Sequence, residues 1–214
     1  MSFQSETSPH QSGWVRTDEW TAVASSLEHL AISLRLVNEK PLEWKWATIA
    51  CHSALQGTLI CVLSGTAGIG CLTDRAMVRF AEWLEASRSN STLEAPDDPV
   101  AELPVLLKRA GNSNYMREFG GQTLSLDPDT AMDIKRLHNL RNRFTHFRPS
   151  SWGIEIVGLP RIMHSAMSVA HRIMFGHPAC AHCLDRDERS AFGARFEEVS
   201  WALEALGMPA LPRA

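Results

Sequence analysis

The 214-residue chain is poor in several things: it has one tyrosine, five cysteines and a formal net charge of only -3. The near-neutral balance excludes whole-molecule attraction to nucleic acid and leaves a local basic patch as the route to such a partner. An odd cysteine count with no secretory leader argues against a disulfide framework, so the thiols are expected reduced. The opening MSFQSETSPHQSGW has neither a basic n-region nor an apolar h-region, and a cytoplasmic location is expected. The longest apolar run, WATIACHSALQGTLICVLSG, is interrupted by His52, Ser53 and Gln56 and reads as a buried core helix, so no membrane is expected among the partners. The glycine-rich SGTAGIG lacks the closing Lys and Ser/Thr of a P-loop, and no nucleophile-elbow pattern is present. No internal repeat is found, and no segment sustains the alternation of a strand.

What is present is helical. With 44% hydrophobic and 21% charged residues the chain can bury a core. Residues 1–16 read as a flexible N-terminal arm, 17–206 as a helical domain in which 87–126 is an irregular loop and short-helix insertion, and 207–214 as a C-terminal tail. Trp20, Val23, Ala24, Leu27, Leu30, Ala31, Leu34 and Val37 recur at three- and four-residue steps as an amphipathic helix requires. A central helix from about Leu42 to Leu63 is apolar on most faces. Thr73 or Asp74 is the expected cap of a third helix, whose buried face is marked by Met77, Phe80, Ala81 and Leu84. VAELPVLLKRA makes a short helix, and further helices are expected at about 160–175 and 186–206, with GHPACAHC as a loop between them. The fold class is all-α: a compact antiparallel bundle of about five or six helices, with a short extended piece at SWGIEIVGL. The seven tryptophans sit at amphipathic positions and are expected in the core.

The most informative segment starts at DPDT, where Asp127 caps, Pro128 takes the first helical position and Asp129 complements the helix dipole. The helix is expected to end before Pro149. Ile134, Leu137, Leu140, Phe144 and Phe147 form its core-facing stripe, and His138, Asn142 and His146 form a polar stripe with Arg141 at the border. Between residues 135 and 148 lie five Lys or Arg and no acid, a locally positive surface formed by Lys135, Arg136, Arg141, Arg143 and Arg148. Arg followed five residues later by His is a weak motif by itself, since Arg172 and His177 repeat it. Its context is what distinguishes Arg141 and His146.

LRNRFTHF, read as R-N-x-x-x-H, resembles the signature of the HEPN superfamily, small all-α domains of which many are metal-independent ribonucleases. HSALQG at 52–57 and LHNLRNRFTHFRPSSWGIE at 137–155 also resemble a group of uncharacterised bacterial HEPN-like proteins. The resemblance implies that Arg141 and His146 form the functional pair, supported by Asn142. Outside the signature, His138, Arg143, Lys135 and Arg148 are candidate substrate-binding residues on geometry alone. The implied activity is endoribonucleolytic, by attack of the 2′-hydroxyl on the adjacent phosphorus, with no metal and no cofactor. It needs one group to take a proton and another to give one, which a homodimer presenting two copies of the helix supplies. RNA is the expected substrate, in a toxin or phage-defence role, with an antitoxin or regulatory protein as a further partner. A catalytically silent HEPN-like module binding RNA, a nucleotide or a protein remains the alternative.

Two other groupings carry chemistry. His177, Cys180, His182 and Cys183 are acceptable zinc ligands, but without a second C-x-x-C an ordinary interhelical loop is the expectation. His52 and Gln56, one turn apart, read as a buried hydrogen-bonded pair or as support for His146.

Overall fold

Four helix starts in this chain are written by short polar side chains. In the computed structural model, which describes residues 15, 17–65, 68–89, 92–96, 99–116, 122–146 and 151–212, Asp18 caps α1 (Glu19–Leu36) by accepting from Thr21 N at 2.7 Å while Thr21 Oγ1 accepts from Asp18 N. Thr73 caps α3 (Asp74–Ser87), Asp127 caps α5 (Pro128–Thr145), and Asp185 with Glu188 forms a capping box on α8 (Arg186–Glu204). Each cap satisfies a backbone N–H that has no partner within the helix. The remaining helices are α2 (Glu43–Ser64), α4 (Leu103–Ala110), α6 (Leu159–Gly176) and the short α7 (Pro178–Cys183).

The fold is all-α. Six helices have fourteen residues or more and two are short, and among the described residues the sole β feature is an isolated antiparallel bridge between Leu72 and Val100. The extended piece expected at SWGIEIVGL forms no strand over residues 151–156. GHPACAHC, expected as a loop, holds the single short helix α7.

α2 is the centre of the bundle, packed on α1, α4, α5 and α6, while α8 closes on α1 and α6 lies against α5. By length and composition α2 is apolar enough to cross a membrane, yet 67% of that stretch is buried inside the fold. The α1 stripe is buried at Val23, Leu27, Leu30, Ala31, Leu34 and Val37, with Trp20 and Ala24 half-covered at its open end. Just past the end of α8, Gly207 with a φ of +84° lets Met208 N turn back to Leu203 O. The following residues do not trail away: Leu211 is buried and its N–H donates to Ser200 Oγ at 2.9 Å.

Two expectations about burial are corrected. On α3 only Ala76 is buried; Met77 and Phe80 are half-covered, and Ala81 and Leu84 are exposed. Among the described residues α3 forms no extensive pair with another helix, and its aromatic groups serve each other, Phe80 against Trp83, with Trp83 Nε1 donating to Leu93 O. Amphipathic spacing produced the helix, but only its N-terminal half, at Ala76, Met77 and Phe80, packs on the core. Of the tryptophans expected in the core, Trp44 alone is buried among the described residues, whereas Trp46, Trp152 and Trp201 are exposed. Two of these meet cations, Lys45 over the Trp46 ring and Arg143 over the Trp152 ring, as exposed indoles commonly do.

Candidate functional site

α5 carries the site, and its two ends differ in how deeply they sit. Ile134 and Leu137 are fully covered, while Leu140 and Phe144 are only half-buried, so the apolar stripe thins towards the C-terminus. Phe147, Arg148 and Pro149 lie outside the described residues. Near the buried end Asp133 accepts from Arg161 and from Ser165 Oγ, pinning α5 to α6.

Arg141 stands one turn after Leu137 and so on the same face. Because the core thins there, Arg141 is half-buried rather than sealed, and its Nη1 donates to Asn142 Oδ1 at 3.0 Å. Asn142, also half-buried, places Nδ2 3.1 Å from His138 Nε2. The other nitrogen of His138, Nδ1, lies 3.1 Å from His52 Nε2 on α2, and the two rings stack with centroids 5.4 Å apart. Arg141, Asn142, His138 and His52 therefore form one continuous polar chain from the helix surface into the core.

This corrects the expected place of His138. It was expected on a solvent-facing stripe as a substrate contact, but it is buried, and both its ring nitrogens are engaged within the protein. The reason is tertiary: α5 lies between α2 and α6, and the α2 side covers the flank of the helix that carries His138. The pairing expected for His52 is corrected too. Gln56 reaches Ala101 O through Nε2 at 3.5 Å, and His52 turns to α5 instead.

Burial pulls the His52 pKa down to about 3, with the nearby Arg141 charge and His138 acting in the same direction. Burial lowers that of His138 as well; the Glu102 carboxylate, 3.9 Å from Nε2, opposes the shift and Arg141 adds to it. Both imidazoles are held neutral.

His146 is the C-cap of α5 and leaves helical geometry at φ −104°, ψ 88°. Its N–H still donates to Asn142 O at 2.9 Å, and Thr145 Oγ1 donates to Arg141 O, which closes the last turn. The imidazole is exposed and makes no hydrogen bond to any described residue. The structure thus joins Arg141 to Asn142 directly but shows no hydrogen bond between the side chains of Arg141 and His146 within one chain. Lys135 and Arg143 are exposed, the latter stacked on Trp152, which also meets Phe144. Lys135, Arg136 and Arg143 leave the exposed side of α5 positive, relieved by Arg136 lying 3.9 Å from Asp133.

The cysteines make no comparable site. Cys51, Cys61 and Cys180 are buried, and burial raises their thiols, that of Cys180 to about 12. Cys183 is exposed, His177 Nε2 engages Gln122 O, and among the described residues no three His, Cys, Asp or Glu converge as metal ligands. No protein-family model, curated protein or solved structure matches the chain.

Proposed function

We propose that the chain is a HEPN-like, metal-independent endoribonuclease that acts in the cytoplasm as a homodimer, with Arg141 and His146 as its functional pair and Asn142 as their support. The observation that carries this reading is the treatment of Arg141: a half-buried arginine whose guanidinium is oriented by one neutral amide, among the described residues, with its other donors unspent. Such a group suits a phosphate, because its planar donor fork matches two phosphate oxygens and its charge is permanent. The exposed cations Lys135 and Arg143 add attraction for the flanking backbone.

In the reaction a base removes the 2′-hydroxyl proton, O2′ bonds to phosphorus, the P–O5′ bond breaks, and an acid returns a proton to O5′, leaving a 2′,3′-cyclic phosphate and a 5′-hydroxyl. An exposed imidazole at a helix end is placed to exchange one of these protons. The second transfer and charge stabilisation at the phosphorane need another group on the opposite side. A two-fold dimer with the α5 ends facing each other supplies it as the second His146 or the second Arg141. A toxin or phage-defence role, with an antitoxin or regulatory protein as partner, suits an enzyme of this kind.

A second reading has its own observation. The His146 imidazole is not oriented by any described residue, as a silent module that binds RNA, a nucleotide or a protein through Arg141 would allow. Incubating the purified chain with total RNA and EDTA separates the two. The enzyme yields cyclic-phosphate ends that His146→Ala abolishes; equal inertness of both proteins supports the binding module.

A further inference from the structure

We infer that His52 and His138 are positioning residues for Arg141, joined to it by a hydrogen-bond chain in which every donor points inward: Arg141 to Asn142, Asn142 to His138, His138 to His52. The link to catalysis rests on the ribonuclease reading above; the chain itself does not.

The direction follows from which groups can only donate. A guanidinium has no acceptor, so the atom of Asn142 lying 3.0 Å from Arg141 Nη1 has to be the amide oxygen. The amide nitrogen then faces His138 Nε2 at 3.1 Å, and because it carries only hydrogens there, Nε2 must present its lone pair. A neutral imidazole with a bare Nε2 carries its hydrogen on Nδ1, which His138 aims at His52 Nε2 across 3.1 Å. That nitrogen must accept in turn, so His52 also carries its hydrogen on Nδ1. Both histidines adopt the tautomer that imidazole in water adopts less often.

The far end of the chain supports this polarity. His52 is buried to 1% exposure, and its Nδ1 has no hydrogen-bond partner among the described residues. A chain running outward would leave a lone pair rather than an N–H stranded there, but it would turn the Asn142 amide nitrogen onto the guanidinium, donor against donor. The orphaned N–H in the core is therefore the counterpart of the hydrogen bond that aims Arg141, an unmet group kept where a site needs it. It follows that α2 contributes to the site through one acceptor, His52 Nε2. A proton added at His138 Nε2 or at His52 Nε2 would place donor against donor and break the chain.

The test is a long-range proton–nitrogen correlation spectrum of the full chain carrying 15N-histidine at pH 7.5, with His52 and His138 assigned from His52→Gln and His138→Gln. The expected result is both rings neutral and in the Nδ1–H form, with Arg141→Ala releasing His138 towards the Nε2–H form while the far-UV spectrum is unchanged. Either ring found protonated or in the Nε2–H form in the parent overturns the chain. On RNA, folded His52→Phe, which keeps shape but removes the acceptor, is expected to cut at least ten-fold more slowly, and His52→Gln, whose amide oxygen restores an acceptor, to recover most of the rate. A folded His52→Phe that cuts at the parent rate overturns the positioning role. If the parent cuts no RNA, the ribonuclease reading falls, and the tautomers with the Arg141→Ala response decide the chain by themselves.

Discussion

Two arginines show how the same side chain is used in opposite ways. Arg109 of α4 is buried to 4% exposure and spends its guanidinium on Gly70 O, Leu72 O and Asp74 Oδ1, with the Tyr115 ring over its face. Arg141 of α5 is half-buried and, among the described residues, spends one hydrogen bond on Asn142. The first spends three hydrogen bonds inside the fold and ties the 70–74 turn to α4. The second is aimed but unsaturated, the condition in which a guanidinium can receive an anion. A buried charge tied to several fixed acceptors is costly to remove from a fold, whereas one that is aimed but mostly unspent has donors left for a ligand.

The largest expected effect is on the buried member, Arg109. Arg109→Ala strands the buried Leu72 carbonyl and the half-buried Gly70 carbonyl and removes the tie between the turn and α4, and should cost about 3 kcal/mol in urea denaturation, any loss of RNA cleavage following only the unfolded fraction. An Arg109→Ala protein as stable as the parent would remove the contrast.

Acid should act next, through the chain that aims Arg141. Above about pH 6.5 His52 is neutral folded or unfolded and contributes nothing to the pH dependence. As the pH falls below that value the unfolded chain takes up a proton that the folded one refuses until about pH 3, so stability is lost progressively across this window. At pH 5 the loss from His52 is about 2 kcal/mol. The lowered His138, His164, His171 and His177 add in the same direction. Denaturation curves at pH 7.5, 6 and 5 should show a steeper decline for the parent than for His52→Gln; parallel declines would mean that His52 is not held neutral.

Phe144→Ala comes third. A half-buried ring with one exposed side, resting on Trp152, should cost about 1 to 2 kcal/mol, less than the roughly 3 to 5 expected for a sealed phenylalanine, as melting curves would report. The smallest stability effects belong to the unsaturated side: Arg141→Ala and His146→Ala should each shift folding by no more than about 1 kcal/mol while removing RNA cleavage. A His146→Ala protein that melts far below the parent would make His146 structural and leave Arg141 without its proposed partner.

Local chemistry made much of this legible without coordinates. The Asp127–Pro128–Asp129 start of α5, the Thr73 cap of α3 and the α1 stripe all depend on neighbours within four residues, the range over which sequence spacing is spatial spacing. The spacing of Arg141 and Asn142 likewise placed them together at the edge of an apolar face. The burial of α3 was misread for the same reason: periodicity identifies an apolar face but not whether anything covers it.

The amino-acid sequence by itself determined an all-α chain, the starts of its helices and the cationic side of α5, because caps, periodicity and local charge are properties of adjacent residues. Only the tertiary structure decided that His138 is buried, that His52 meets it from 86 positions away, and that Arg109 is sealed while Arg141 is not. Which helix overlies which flank is set by how the whole core closes around α2. The hydrogen-bonding state of a buried imidazole follows from that closure, since each ring nitrogen must answer to whatever group the packing sets against it.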